Sequence, residues 1–150
     1  MSLRVCPIAP VYAPIERVWS FVAKPANLAL WWDGTPRRIL PEGEAQPGQR
    51  IHARRLLLGI PRDVELLVER VDEAARTLDV MTSLPFGIII FTHVACTPLD
   101  RSTCQLSFGS DFSFSPAWWG WLLERFASQP LYRAVAGALF RLKTAVEKAA

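Results

Sequence analysis

The stretch from Pro116 to Lys148, PAWWGWLLERFASQPLYRAVAGALFRLKTAVEK, limits what the rest of the chain can do. Leu131, Val135, Leu139, Leu142 and Val146 recur at three- and four-residue steps, which on a helix places them on one face. Arg133, Arg141, Lys143, Glu147 and Lys148 fall mostly elsewhere. Pro116 suits the first turn of a helix. Pro130 lacks an N–H and its ring clashes with the preceding turn, which predicts a kink or break near Ser128–Gln129. A helix of this length with one apolar stripe has to lay that stripe on something.

The chain before it reads mainly as strands. Leu3 to Ala9 is a strand candidate closed by Pro10. Pro14 fits position N1 of a helix whose apolar face is Ile15, Val18, Trp19 and Val22, with Glu16 early and Lys24 late, as the helix dipole favours. Pro25 ends it and opens a second short helix, Ala26 to Trp31. Six more strands are expected at Thr35–Leu40, Arg50–Leu58, Arg62–Val71, Thr77–Ser83, Ile88–Thr97 and Thr103–Phe114, separated by short turns rich in Pro, Gly and charge. In the last of these, Cys104, Leu106, Phe108, Ser110, Phe112 and Phe114 share one side. Short turns imply sequential antiparallel hairpins, and a sheet with one apolar face needs a cover. The terminal helix is the element long enough to supply it. No repeat, low-complexity tract or linker divides the 150 residues, so one domain (1–150) is expected.

Hydrophobic residues make up 51% of the chain, which suits a large apolar interior or an apolar cavity lining. The longest apolar run, Phe86 to Ala95, is too short to span a bilayer as a helix. The N-terminal residues carry neither a long apolar run nor a small-residue cleavage site, so secretion is not expected. Cys6, Cys96 and Cys104 are odd in number and without CxxC spacing, which argues against a disulfide framework or a zinc site and for a reducing cytoplasm. The net charge of +3 comes from arginine, clustered at Arg37, Arg38, Arg50, Arg54, Arg55 and Arg62. Such a cluster suits nucleic acid, anionic lipid or an acidic ligand, but the simpler reading is the solvated outer face of a sheet, and nucleic acid is not expected. HExxH, GxSxG, GxGxxG and P-loop motifs are absent, and no cofactor or metal is expected.

Four local patterns then fall in a telling order. They are Ala13-Pro14-Ile15-Glu16-Arg17-Val18-Trp19-Ser20-Phe21-Val22 followed by Lys24-Pro25-Ala26-Asn27, then the pair Trp31-Trp32, then Thr97-Pro98-Leu99-Asp100-Arg101-Ser102-Thr103, and finally Leu142-Lys143-Thr144-Ala145-Val146-Glu147. In this order they resemble the START-like, or helix-grip, superfamily, which includes polyketide cyclase/dehydrase-like proteins and birch-pollen-allergen-type ligand binders. The family's Asp-Pro-type break is Lys24-Pro25 here. The resemblance implies an α+β fold in which a curved seven-stranded antiparallel sheet grips the C-terminal helix around an apolar pocket, with two short helices between strands one and two. It brings no universal catalytic motif.

A pocket of this kind would take a hydrophobic small molecule, such as a lipid, an isoprenoid or an aromatic polyketide. Flat rings from Phe91, Phe108, Phe112 and Phe126 are candidates to line it, and Trp31, Trp32 and Trp121 lie where the resemblance places the pocket mouth. The tryptophan-rich start of the last helix also suits transient contact with a membrane interface. Small residues crowd mid-helix (Ala134, Ala136, Gly137, Ala138), leaving room for either a cavity or close helix–sheet approach, with Leu139 in the gripped stripe. Gly costs a helix about 1 kcal/mol relative to Ala, so Gly137 is expected to have a spatial reason. One of Arg54 and Arg55 has to face inward, and Arg54 is the candidate ligand-binding arginine. His93 lies among Ile90, Phe91 and Val94 and is the candidate proton carrier for a cyclase- or dehydratase-type reaction. That reading requires His93 and an arginine or Asp111 to converge on one cavity. A third reading is an interaction module docking through the arginine-rich face.

Overall fold

The computed structural model describes residues 2–27, 30, 34–57, 60–84, 87–113 and 117–148, with side chains described for all but 2, 3, 57 and 117–128. Eight strands occur in chain order: β1 (Ser2–Val5), β2 (Ile8–Val11), β3 (Thr35–Leu40), β4 (Arg50–Leu57), β5 (Ile60–Asp72), β6 (Thr77–Leu84), β7 (Ile88–Pro98) and β8 (Cys104–Ser113). Helix α1 (Ile15–Val22) and a 3₁₀ turn (Pro25–Asn27) separate β2 from β3, and the long helix α2 (Ala117–Lys148) closes the chain.

All strands belong to one antiparallel sheet ordered β1-β8-β7-β6-β5-β4-β3, with β2 also on β8. β1 and β2 occupy a single lane. Val5 stands opposite Ser110 and Ile8 opposite Ser107, in unbroken register. Pro7, which has no N–H to give, sits at the interruption, and its carbonyl still accepts from the Phe108 N–H at 3.1 Å. The seven expected lanes are therefore present, with the first one split. It runs on through Pro10 to Val11, beyond the expected end, because this edge lane bonds to β8 alone and a proline there forfeits little. The first helix matches its expected span, with Pro14 as the extended N-cap residue ahead of it rather than as N1. The second short helix expected over Ala26–Trp31 is described only as the 3₁₀ turn and Leu30, the rest lying outside the described residues.

Helix α2 is continuous through Pro130, so of the expected kink or break the break does not occur. The stripe read from the sequence is its covered face. Leu142 and Val146 are fully buried, Leu139 is 3% exposed, and Leu131 and Val135 are half-buried. This face packs on β1, β2 and β8, while α1 packs over β7 and touches α2. One continuous core results, joining Val18, Trp19 and Val22 of α1 to Ile51, Val64 and Val68 of the sheet and to the α2 stripe. Bulges between Pro36 and Arg38 and between Val68 and Arg70 bend the strands on that side. The β3–β4 loop is pinned by Gln49, fully buried, whose Nε2 donates to the carbonyl of Pro41 at 2.9 Å.

Candidate functional site

Register separates the two faces of the sheet. On β8, Cys104, Leu106, Phe108, Ser110 and Phe112 are buried and alternate with half-exposed residues. Their partners on β7 are Ile90 opposite Phe112, Thr92 opposite Ser110, and Val94 opposite Phe108. The same face continues through Leu78, Val80 and Thr82 of β6 and Val64, Leu66 and Val68 of β5. It reaches Ile51 and Ala53 on β4, and alternation then adds Arg55. This inner face lies toward α1 and α2 and is apolar over most of its extent.

Its polar groups are few. Thr82 and Ser110 are 5% and 3% exposed, and the Thr92 and Ser110 hydroxyls are 3.4 Å apart. The thiols of Cys96 and Cys104 are buried and free. Burial pushes the Cys96 thiol up to about 12, with the neighbouring Cys104 adding to the effect and Arg76 opposing it. Such a thiol stays protonated near neutrality and is no nucleophile.

The opposite face carries the charge. His93 is exposed, and its Nδ1 is paired with the carboxylate of Asp79, its direct neighbour across β6 and β7. Phe91 shares that parity and is 42% exposed. Arg54 lies opposite Asp63 and reaches it through Nε at 3.4 Å. Arg50 pairs with Glu65, and Arg4 with Asp111 at 3.8 Å.

Of the residues singled out from sequence, Phe108 and Leu139 share one buried cluster, Phe112 lies in another with Val5 and Ile90, and Ala136 is half-buried on α2. Phe91, His93 and Arg54 are instead on the outer face, and strand parity is the reason in each case. The inward arginine of β4 is Arg55. Asp111 also faces out, since the register is unbroken across Gly109 and no bulge reverses it. Trp31 and Trp32 lie outside the described residues. Trp121 and Phe126 lie in α2 with side chains outside them. Sequence reasoning passed over Thr82 and Thr92, and of the arginine pair it took Arg54 where the register turns Arg55 inward. The parity that exposes His93 is the signal that turns Thr92 inward.

A concavity sits apart from this interior. An open groove of about 790 Å³ runs between the 3₁₀ turn and edge strand β3, past Lys24, Arg37, Arg38, Glu42 and Glu44. Its walls mix both signs of charge, unlike the inner face. Among the described residues, no group of three His, Cys, Asp or Glu side chains could hold a metal, and no helix is long and apolar enough to cross a membrane.

Similarity to other proteins bears on this geometry. A family model described as polyketide cyclase / dehydrase and lipid transport matches residues 9–147. The ZhuI aromatase/cyclase of Streptomyces sp. R1128 superposes with a TM-score of 0.78 at 18% identity, over 99% of this chain and 95% of that one. Norcoclaurine synthase of Thalictrum flavum, solved with dopamine and hydroxybenzaldehyde, gives 0.71 at 13% identity, over 99% and 88%. A Thermus thermophilus protein, TTHA0849, gives 0.79 at 14% identity, over 99% of both chains. Likeness at such low identity speaks to the fold. No curated protein matches the sequence.

Proposed function

The chain belongs to the polyketide cyclase/dehydrase and lipid transport family, and on that footing we propose that it binds a mostly apolar small molecule between the inner sheet face and α2, as a carrier or sensor. A lipid, an isoprenoid or an aromatic polyketide would each suit the space. The observation that carries this reading is the division of the sheet. The apolar residues of β4 to β8 line one side, and the ion pairs and the histidine of β7 line the other. Affinity would come from burying ligand carbon at about 25 cal/mol per Å², so roughly 300 Å² would yield about 7.5 kcal/mol before the costs of association.

Cytoplasmic residence is part of the proposal and is supported by three cysteines that remain unpaired. A cyclase or dehydratase reaction using His93 draws no support from the geometry. The described residues of the inner face include no histidine or carboxylate that could move a proton, and His93 is engaged with Asp79 outside. Docking through the arginine face is likewise weakened, because Arg50 and Arg54 are already paired with Glu65 and Asp63.

Native mass spectrometry of freshly purified protein, with displacement of the uncharged fluorescent probe Nile red by fatty alcohols, isoprenoid alcohols and aromatic polyketides, tests the reading. Co-purifying ligand or competitive displacement is the expected result. A protein that carries no ligand and binds neither probe nor competitor would refute it.

A further inference from the structure

Among the described residues, and apart from Arg55 at its far end, the inner face of β5 to β8 is apolar except for the buried cysteines and one diagonal of neutral hydroxyls. Thr92 on β7 is directly opposite Ser110 on β8, and Thr82 on β6 is opposite Ile90, two residues along β7 from Thr92. Their described neighbours across the strands are hydrocarbon. Val5 stands opposite Ser110, Val80 opposite Thr92 and Leu66 opposite Thr82. From the helix, Leu131 and Val135 pack on the cluster of Val5, Ile90 and Phe112 that frames the diagonal. Arg55 is remote. Thr82 is level with Leu66 and Ile51, and Arg55 lies four residues beyond Ile51, about 13 Å farther along the strand.

Each hydroxyl offers one donor and two acceptor positions. Thr92 and Ser110 share a single contact at 3.4 Å, longer than a usual O–H···O bond, and it employs one of their two protons. The Thr82 hydroxyl has no side-chain or backbone partner among the described residues. At least two O–H donors of this face thus have no acceptor among the described residues, and an oxygen of a ligand laid against β6 to β8 could accept from them.

We infer that Thr82, Thr92 and Ser110 are the polar anchor of the ligand site, and that the ligand carries an uncharged ketone, aldehyde or alcohol oxygen which accepts from them. This rests on the binding reading above and narrows its ligand class. Among the described residues a carboxylate or phosphate placed here would meet only neutral donors, so its charge would be buried uncompensated. A pure hydrocarbon would leave the donors unsatisfied. The ligand is therefore apolar along its length and oxygenated where it crosses the middle of β7.

The test compares two probes of matched shape, 2-acetylnaphthalene and 2-ethylnaphthalene, titrated into the wild-type protein and into Thr92→Val/Ser110→Ala. Wild type should prefer the ketone. In the double variant that preference should fall about fivefold, the equivalent of one net hydrogen bond, while affinity for the hydrocarbon holds or rises. An unchanged preference, with both probes still binding, overturns the anchor and leaves the binding reading standing. Failure of wild type to bind either probe removes both. Should the double variant not fold, amide shifts of the wild-type protein decide. Ketone and hydrocarbon should differ most at Thr82, Thr92 and Ser110, and differences confined to other residues refute the assignment.

Discussion

Replacing Gly137 by alanine should stabilise the protein. Gly137 lies in the middle of α2, half-buried, on the side turned away from the Leu139–Leu142–Val146 stripe. A Cβ built there meets one described group, the Arg141 Nη1 at 3.5 Å, an ordinary van der Waals contact with the far end of a flexible side chain. The steric cost is therefore near zero. The gain is the conformational freedom that glycine retains in the unfolded chain and alanine does not, about 0.5–1 kcal/mol in a helix interior. For a domain of this size that corresponds to a rise in melting temperature of about 1–4 °C. Urea unfolding followed by far-ultraviolet circular dichroism should show a higher midpoint at unchanged slope. A lower midpoint would refute the reasoning, because it would mean the methyl group strikes something that needs the close approach glycine allows. Unchanged stability with loss of probe binding would do the same, placing the ligand against this side of the helix.

Other perturbations follow from the same geometry. Leu142→Ala empties a fully buried site and should cost about 2–5 kcal/mol in urea unfolding; a loss below about 1 kcal/mol would show that the helix is not gripped there. His93→Gln and Arg54→Ala change groups on the outer face and should leave Nile red affinity within about twofold, a shift of less than about 0.5 kcal/mol. A tenfold loss from either would move the site to that face. Cys6 is exposed while Cys96 and Cys104 are buried, so Ellman's reagent should label one thiol in the native protein and three in urea. The Cys96 thiol ionises at about 12 when folded against 9.0 for a free thiol, so the folded state holds its proton longer. The resulting stabilisation is complete below pH 9.0 and is lost as pH rises toward about 12. Stability rising with alkalinity across that window would contradict the burial.

Much of the architecture is legible in the sequence because strand ends coincide with turn chemistry. Thr35–Leu40 matches β3, and the turns expected after Val71 and Thr97 overlap the connections 73–76 and 99–103. The stripe of α2 is legible because 3.6-residue periodicity survives packing. Parity is where the reading failed. His93 sits among apolar neighbours in sequence, but adjacent strand residues face opposite ways, so apolar neighbours on either side argue for exposure of the residue between them. Arg54 and Arg55 pose the same binary choice, and only the cross-strand partner Asp63 resolves it. Pro130 suggested a kink or break, yet α2 runs through it, and nothing in the local sequence signals that. The hold of Gln49 on the β3–β4 loop has no local signature, because its partners are carbonyls five to eight residues away.

Methyl resonances offer the most direct test of where the ligand lies. With 2-acetylnaphthalene added to protein labelled at Ile, Leu and Val methyl groups, shifts are predicted at inner positions such as Val68, Val80, Val94, Leu106 and Leu139. The exposed methyls of Leu40, Leu56 and Ile60 should stay in place. Shifts confined to those exposed methyls, with the inner set unmoved, would contradict the account.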